Sequence, residues 1–210
     1  PQDQNAIDAS EVRAFDPGAA AAMVREIETA KADRNTLGGV VEVLVYGLPV
    51  GIGSHVHWDR RLDAELARAV MSIQAIKGVE IGDAHTVAGL PGSEAHDQIY
   101  HDGTDFYRKT NLAGGIEGGM SIGDVIRIRA AMKPISTVMR PLDSVDVESK
   151  KAEKAFRERS DVCAVPAAGV VAEQMVAYAT AREVMRKYGG DSLAELQAAA
   201  AAHRRRIAEF

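Results

Sequence analysis

The strongest constraint on the fold is an alternating run near the middle of the chain, Ile126–Lys133. Apolar residues occupy every second position of this run, and the cations Arg127, Arg129 and Lys133 lie between them. A period of two places successive side chains on opposite faces of a β-strand. We therefore predict a strand with one face in a hydrophobic core and a second face that is basic.

A glycine-rich segment directly precedes this strand. Its five glycines are Gly114, Gly115, Gly118, Gly119 and Gly123. Glycine can adopt positive φ and lets a ligand approach the backbone closely. A loop of this kind before a basic strand face predicts a site for an anion, with phosphate as the first candidate. The alternative is an irregular loop before an edge strand whose basic side chains are solvated.

Composition narrows the classes of function. The 210 residues, 46% apolar and 26% charged, suit one soluble α+β domain spanning residues 1–210. The net charge of −5 gives no general attraction for nucleic acid, and no apolar run is long enough to cross a bilayer. Cys163, the only cysteine, excludes an intramolecular disulfide and a multi-cysteine metal site. We expect a cytoplasmic protein with no nucleic-acid, membrane or metal partner.

Helix and strand signals alternate along the first half. Asp16 can cap a helix whose first position is Pro17, and Gly78 can end a later one. The predicted elements are a strand around Ile7–Phe15, a helix from Pro17 to Lys31 or Arg34, a strand at Val40–Tyr46, a helix at about Asp59–Lys77 and a strand at Val79–Ile81. This alternation favours an α+β fold.

The second half continues the mixture. Val138–Val147 and Lys151–Arg157 are compatible with strand–turn–strand and with strand–turn–helix. The other predicted elements are a loop or flap at Ala84–His96, a hairpin with Asp102-Gly103 at its tip, a helix from Pro166 to about Tyr188, and a last helix at Leu193–Phe210 capped by Ser192. His96-Asp97 is interpreted as a loop pair or a flap contact.

Four segments resemble one family, chorismate synthase, the final enzyme of the shikimate pathway. They are Gly53–Asp63 (GSHVHWDRRLD), Met71–Asp83 (MSIQAIKGVEIGD), Asn111–Thr137 with its paired glycines and KPIST ending, and Arg159–Ala168 (RSDVCAVPAA) running on to Glu173. The resemblance covers the C-terminal half of a family member. The family's N-terminal Gly-x-Ser-His-Gly segment and its two proton-transfer histidines are not in this sequence. Ile122 stands where the family usually has Asn.

The resemblance implies a β-α-β sandwich of antiparallel sheets and helices. It also implies a lyase of aromatic amino acid biosynthesis, which eliminates phosphate from 5-enolpyruvylshikimate 3-phosphate to give chorismate and requires reduced FMN. Family members are homotetramers, and the resemblance also implies an association with NADP; the source of the reduced flavin, an intrinsic reductase or an outside donor, stays open. The alternative is an FMN- or phosphate-binding or structural fragment that is inactive without the N-terminal half.

Site residues follow from the resemblance position by position. Asp161 would be the catalytic carboxylate, assisting proton movement near the flavin. The cofactor-binding residues would be Gln74, Ala75, Gly118, Gly119, Lys133, Pro134, Ile135, Ser136, Thr137 and Arg159. The residue types agree with this role, because cations, hydroxyls and glycine backbone are suitable ligands for phosphate and carboxylate groups.

Overall fold

The computed structural model describes residues 3–157 and 160–210, which form an α+β structure. The described helices are α1 (Gln4–Ala9), α2 (Pro17–Ala32), α3 (Leu62–Met71), α4 (Ala84–Val87), α5 (Gly92–Ala95), α6 (Val165–Tyr188) and α7 (Leu193–Ala208). The described strands are β1 (Gly39–Val45), β2 (Ile76–Ile81), β3 (Ile99–His101), β4 (Phe106–Arg108), β5 (Ile116–Glu117), β6 (Met120–Ser121), β7 (Ile126–Met132), β8 (Asp143–Val145) and β9 (Ala152–Lys154). No described helix is both long enough and apolar enough to cross a membrane.

The alternating run forms β7, the central strand of a three-stranded antiparallel sheet in the order β1-β7-β2. Ile128 lies opposite Val43 of β1 and Ile81 of β2. Ile126, Ile128 and Ala130 are buried, as the alternation predicts. The edge-strand alternative is wrong, because β7 is hydrogen-bonded on both sides.

One face of the sheet is covered by α3 and α6, which pack against each other as well as against β1 and β2. The buried helical residues at this interface are Leu62, Leu66 and Val70 of α3 and Ala172, Val176 and Ala179 of α6. Small side chains on α6 allow a close approach to the sheet, while larger ones on α3 fill the space between the layers. The hydrophobic core therefore lies between one sheet and one layer of helices.

The far side of the helix layer is open. Val170, Val171, Tyr178 and Met185 of α6 are between 43% and 62% exposed. The residues described here place no second sheet against that face. An apolar helix stripe of this extent indicates a surface that packs against another part of a protein.

The N-terminal segment differs from its prediction. The strand expected around Ile7–Phe15 is wrong, because residues from Gln4 to Ala9 form α1. The side chain of Asp3 caps this helix by accepting hydrogen bonds from the N–H groups of Asn5 and Ala6. A local capping interaction therefore decides the conformation here.

The helix predicted to end at Gly78 is shorter than expected. It ends at Met71, and Gly78 lies within β2 beside an irregularity in the pairing with β7. Ile76 is 5% exposed and pairs with Met132. Tertiary pairing with β7 outweighs the helical propensity of this stretch.

The remaining element predictions are largely confirmed. Asp16 caps α2, Ser192 caps α7, and the Asp102-Gly103 turn joins β3 to β4. The charged segment after Val138 is strand–turn–strand, since β8 pairs with β9. The expected flap at 84–96 contains the short helices α4 and α5.

Ser121 ties the connection after β1 to the glycine-rich segment. Ser121 is only 1% exposed. Its hydroxyl donates to the Pro49 carbonyl at 2.6 Å and accepts from the Ile52 N–H at 2.9 Å. Both backbone groups would be left without this partner if the hydroxyl were removed. We expect Ser121→Ala to lower the free energy of unfolding by about 2 kcal/mol, measured by urea denaturation.

Ser144→Ala is the matched control, because Ser144 is exposed on β8. We expect this control to change the free energy of unfolding by less than about 0.5 kcal/mol. Equal stability of the two variants would contradict the structural role of Ser121.

Candidate functional site

The segment that leaves the sheet after β7 is joined to the turn before β2. The backbone N–H of Lys133 donates to the carbonyl of Ala75 at 3.0 Å. Ala75 has φ of 67°, a left-handed conformation that is uncommon for a residue with a side chain. Gln74 is exposed beside it. The structure therefore brings Lys133 to the Gln74-Ala75 turn, and all three are residues that the resemblance assigns to cofactor binding.

The same segment is held from its other side by two hydroxyls. Thr36 Oγ1 donates to the carbonyl of Ile135 at 2.7 Å, and Ser160 Oγ donates to the carbonyl of Thr137 at 2.8 Å. Asp161 follows directly and is exposed. Residues 133–137 thus lie between the Thr36 loop and the segment that carries Asp161.

A close backbone contact fixes this arrangement. Gly38 lies so near the exit of β7 that a Cβ built on it would be 2.3 Å from the carbonyl oxygen of Met132 and 2.9 Å from the nitrogen of Pro134. Only glycine fits such a contact without displacing backbone. The loop before β1 is therefore part of the same cluster. Local sequence patterns at Thr36 and Gly38 do not indicate this contact, because it depends on a distant segment of the chain.

The groups at this strand exit are suited to an anion. Lys133 and Ser136 are exposed, and Lys133 takes part in no ion pair within residues 3–157 and 160–210. An ammonium group, the hydroxyls of Ser136 and Thr137 and nearby backbone groups can together bind a phosphate. Pro134, which has no N–H to donate, lies where the strand ends.

The basic face of β7 itself is not a free anion site. Arg127 pairs with Asp83 at 2.5 Å, and Arg129 pairs with Glu42 at 2.9 Å and with Glu80 at 3.5 Å. The hydrogen bond that Arg129 Nε donates to the Glu42 carboxylate raises the pKa of Arg129 above its ordinary value. The predicted row of three cations is therefore reduced to Lys133, because the two arginines are neutralised by neighbouring strands and the Asp83 turn.

The Gly118-Gly119 pair forms the turn between β5 and β6, with φ of 59° and 81°. Gly119 is buried: its carbonyl accepts from the Leu62 N–H at 2.8 Å, and a Cβ there would be 2.6 Å from the carbonyl oxygen of Ser54. This turn lies toward the start of β7, whereas Lys133 follows its end. A seven-residue strand spans about 20 Å. The structure does not bring the glycine pair beside Lys133.

Asp97 is a buried carboxylate that holds the loop leading into the glycine-rich segment. It is 6% exposed and accepts from Thr110 Oγ1 at 2.6 Å and from the N–H groups of Leu112 and Ala113, each at 2.9 Å. Burial opposes its ionisation, but these three hydrogen bonds and the charge of Arg108 outweigh burial and hold the pKa of Asp97 below its ordinary value. The loop-pair interpretation missed this role, because the partners are 13 to 16 residues away.

The other residues that the sequence analysis named are placed as follows. Arg159 lies outside the described residues. Cys163 is a half-buried free thiol, and Ile122 is half-buried with its N–H donating to Gly115. Within the described part of the chain, no group of three His, Cys, Asp or Glu side chains could hold a metal ion.

Comparisons with known proteins agree with one another. The sequence model of the chorismate synthase family matches residues 2–185. The chain is 62% identical to the chorismate synthase of Acidothermus cellulolyticus over 93% of its own length and 50% of that protein, and 58% identical to that of Mycobacterium avium over 100% and 52%. A crystal structure of chorismate synthase superposes with a TM-score of 0.82 at 37% identity, covering 98% of this chain and 54% of that one. The chain spans about half the length of the curated relatives it matches.

The buried Asp97 makes stability depend on pH in a defined direction. Because its pKa is lowered by folding, it stabilises the fold fully above the unfolded pKa of about 4, and this contribution is lost as the pH falls below that value toward the folded pKa. Asp97→Asn replaces one acceptor oxygen by an amide donor that faces N–H groups. We expect a loss of about 2 kcal/mol at pH 7, measured by urea denaturation, and a smaller loss at pH 3.

Asp105→Asn provides the matched control, since Asp105 is an exposed carboxylate in the neighbouring hairpin turn. Amide hydrogen exchange of residues 110–115 should accelerate in Asp97→Asn and not in the control. A stability difference between Asp97→Asn and the unaltered chain that stays constant from pH 7 to pH 3 would refute the ionised-carboxylate role.

Proposed function

The chain belongs to the chorismate synthase family, and from this premise we propose that it supplies the reduced-FMN-binding part of an enzyme that acts on 5-enolpyruvylshikimate 3-phosphate. The reaction is the 1,4-elimination of phosphate to give chorismate, a carbon–oxygen lyase step in aromatic amino acid biosynthesis. Reduced FMN, when bound, supplies the electron density that helps the phosphate leave, with no net redox change.

The observation that carries the proposal is the convergence at the exit of β7. Lys133 is bonded to Ala75, and Thr137 is bonded to Ser160, so three segments separated in sequence by more than twenty residues meet at one place. Their conformations are fixed by hydrogen bonds to backbone carbonyl groups rather than by side-chain ion pairs. The exposed side chains among them therefore remain available for a ligand.

The donor set fits FMN in its chemistry. We assign Lys133, Ser136 and Thr137 to the anionic part of the cofactor, because they offer one ammonium group and two hydroxyls. Gln74 and the left-handed Ala75 would contact the cofactor from the turn before β2. Pro134 and Ile135 continue the same segment and complete the proposed set at this end of β7.

Gly118 and Gly119 stay in the proposed cofactor set on the family resemblance. Gly118 is exposed, and a Cβ built on it would meet no atom within 4 Å, so its backbone is open to a ligand. Arg159 stays in the set on the resemblance alone. A cofactor that touched both ends of β7 would have to extend along the strand, or the two ends would serve different ligands or different copies of the chain.

Asp161 is the proposed proton-handling carboxylate. It is exposed next to Ser160, whose hydroxyl lies 2.8 Å from the Thr137 carbonyl and 3.2 Å from the Asp161 carbonyl. This hydroxyl fixes the backbone of Asp161 relative to the proposed cofactor segment. The carboxylate can therefore accept or release a proton close to a ligand held by residues 133–137.

A second role, a fragment that binds ligand but is inactive alone, is favoured by the open face of α6. Val170, Val171, Tyr178 and Met185 leave an apolar surface that another part of the protein would cover. The proton-transfer histidines of the family are also absent from this sequence. A cytoplasmic homotetramer, with NADP involved in flavin reduction, is the assembly that the family membership supports.

We expect Lys133→Met to weaken FMN binding by about tenfold, because a charge-assisted contact to the anionic part of the cofactor is lost while the aliphatic length is kept. Isothermal titration calorimetry with oxidised FMN measures the dissociation constant. Lys151→Met is the matched control, since Lys151 is exposed in the turn between β8 and β9. Equal FMN affinity in both variants would remove Lys133 from the proposed site.

Catalysis can be tested by reconstitution. We expect the chain alone, supplied anaerobically with reduced FMN and 5-enolpyruvylshikimate 3-phosphate, to release no phosphate above background. Co-expression with the other half of the Acidothermus cellulolyticus relative should give phosphate release and chorismate absorbance. Turnover by the chain alone would overturn the inactive-fragment role, and a folded mixture that binds FMN without turnover would overturn the enzyme proposal.

A further inference from the structure

A groove of about 690 Å³ lies between the C-terminal end of α6, helix α7 and the connection that follows β1. Most of its wall is apolar, contributed by Leu48, Pro49, Val184, Leu193, Leu196 and Ala200. Its volume falls in the range of pockets that hold small organic ligands. The match to the family's sequence model ends at residue 185, so α7 lies outside the residues that this model matches. We name this feature the α6–α7 groove.

Tyr188 lines the groove, and its phenol oxygen is buried without a hydrogen-bond partner among the described residues. The neighbouring ring of His203, 5.6 Å away between centroids, is already occupied on both nitrogens. Its Nε2 lies 2.9 Å from the Val50 carbonyl, and its Nδ1 lies 3.2 Å from the Arg206 guanidinium. Burial raises the pKa of Tyr188 above its ordinary value, and the smaller opposing effect of the Arg204 charge does not cancel this rise. The phenol is therefore a protonated donor that lacks an acceptor.

The rim of the groove supplies positive charge. Arg204 and Arg205 line it, and neither forms an ion pair within residues 3–157 and 160–210. The ammonium group of Lys187 donates a hydrogen bond to the Gly51 carbonyl at 2.7 Å, so we do not assign it to the ligand. None of the described residues that line the groove is Asp or Glu. No described lining residue therefore balances the positive charge of the rim, in a chain whose net charge is −5.

We propose that the α6–α7 groove binds an amphipathic organic acid, with an aromatic or branched apolar body against the walls and one anionic head that accepts from Tyr188 and pairs with Arg204. A polyanion such as a nucleotide does not fit, because its charges would be buried against Val184 and Leu196. A neutral apolar partner, such as a helix of a second copy, would leave both the phenol and the arginine unpaired.

The direct test compares two probes of equal shape. We expect 2-naphthoate to bind the full chain, measured by isothermal titration calorimetry, and the neutral isostere 2-naphthamide to bind at least about tenfold more weakly. Equal affinity for the two probes, or no detectable binding of 2-naphthoate, would overturn the proposal.

Tyr188→Phe removes only the hydroxyl and gives two opposite effects. The affinity for 2-naphthoate should fall by about tenfold, while the melting temperature of the free chain should stay equal or rise, because an unpaired buried donor is removed. Tyr178→Phe is the control, since Tyr178 is 62% exposed on the outer face of α6. Unchanged 2-naphthoate affinity in Tyr188→Phe would overturn the role of the phenol.

The charge and the cavity are tested separately. Arg204→Gln should weaken binding of 2-naphthoate but not of 2-naphthamide, and Arg25→Gln on α2 should affect the binding of neither probe.

Ala200→Phe should fill the groove and abolish binding of both probes. If sedimentation instead showed a dimer of the unaltered chain that Ala200→Phe dissociates, the occupant would be a second copy and the proposal would be wrong.

Discussion

The structure depends on hydrogen bonding of β7 along both of its edges. This position buries Ile126, Ile128 and Ala130 beneath two helices and exposes the opposite face with its arginines. Two guanidinium groups on the middle strand of a sheet require compensation. Glu42 and Glu80 supply it to Arg129 from the strands on either side, and Asp83 supplies it to Arg127 from the turn after β2. Strand register and charge pairing are therefore the same constraint, since a slip of one residue would expose the core face and separate the ion pairs.

The two ends of β7 have different properties. At its start, the buried Asp97 carboxylate accepts hydrogen bonds from backbone N–H groups, and glycines with positive φ form the turns. At its end, hydrogen bonds to or from the backbone of Lys133 and Thr137 hold these residues in place and leave the lysine side chain without an ion pair among the described residues. These hydrogen bonds fix the backbone at this end, and a fixed backbone is what the proposed ligand site requires.

Helix α6 carries three separate surfaces. Its inner side forms the core, its outer side is an open apolar stripe, and its C-terminal turn borders the α6–α7 groove. The first packs against the sheet of this chain, and the second is covered by none of the described residues. The third depends on α7, which has no buried residue of its own and is positioned by His203 and its capping box.

The sequence by itself determined the alternation of β7, the caps of α2 and α7, and the family, because these depend on residues adjacent in the chain or on motifs of fixed spacing. Tertiary structure alone decided the extent of α3 and β2, the neutralisation of Arg127 and Arg129, and the burial of Asp97. It also decided which of the proposed cofactor residues meet at the exit of β7. The physical reason is that each of these depends on partners from distant segments, whose positions no local pattern specifies.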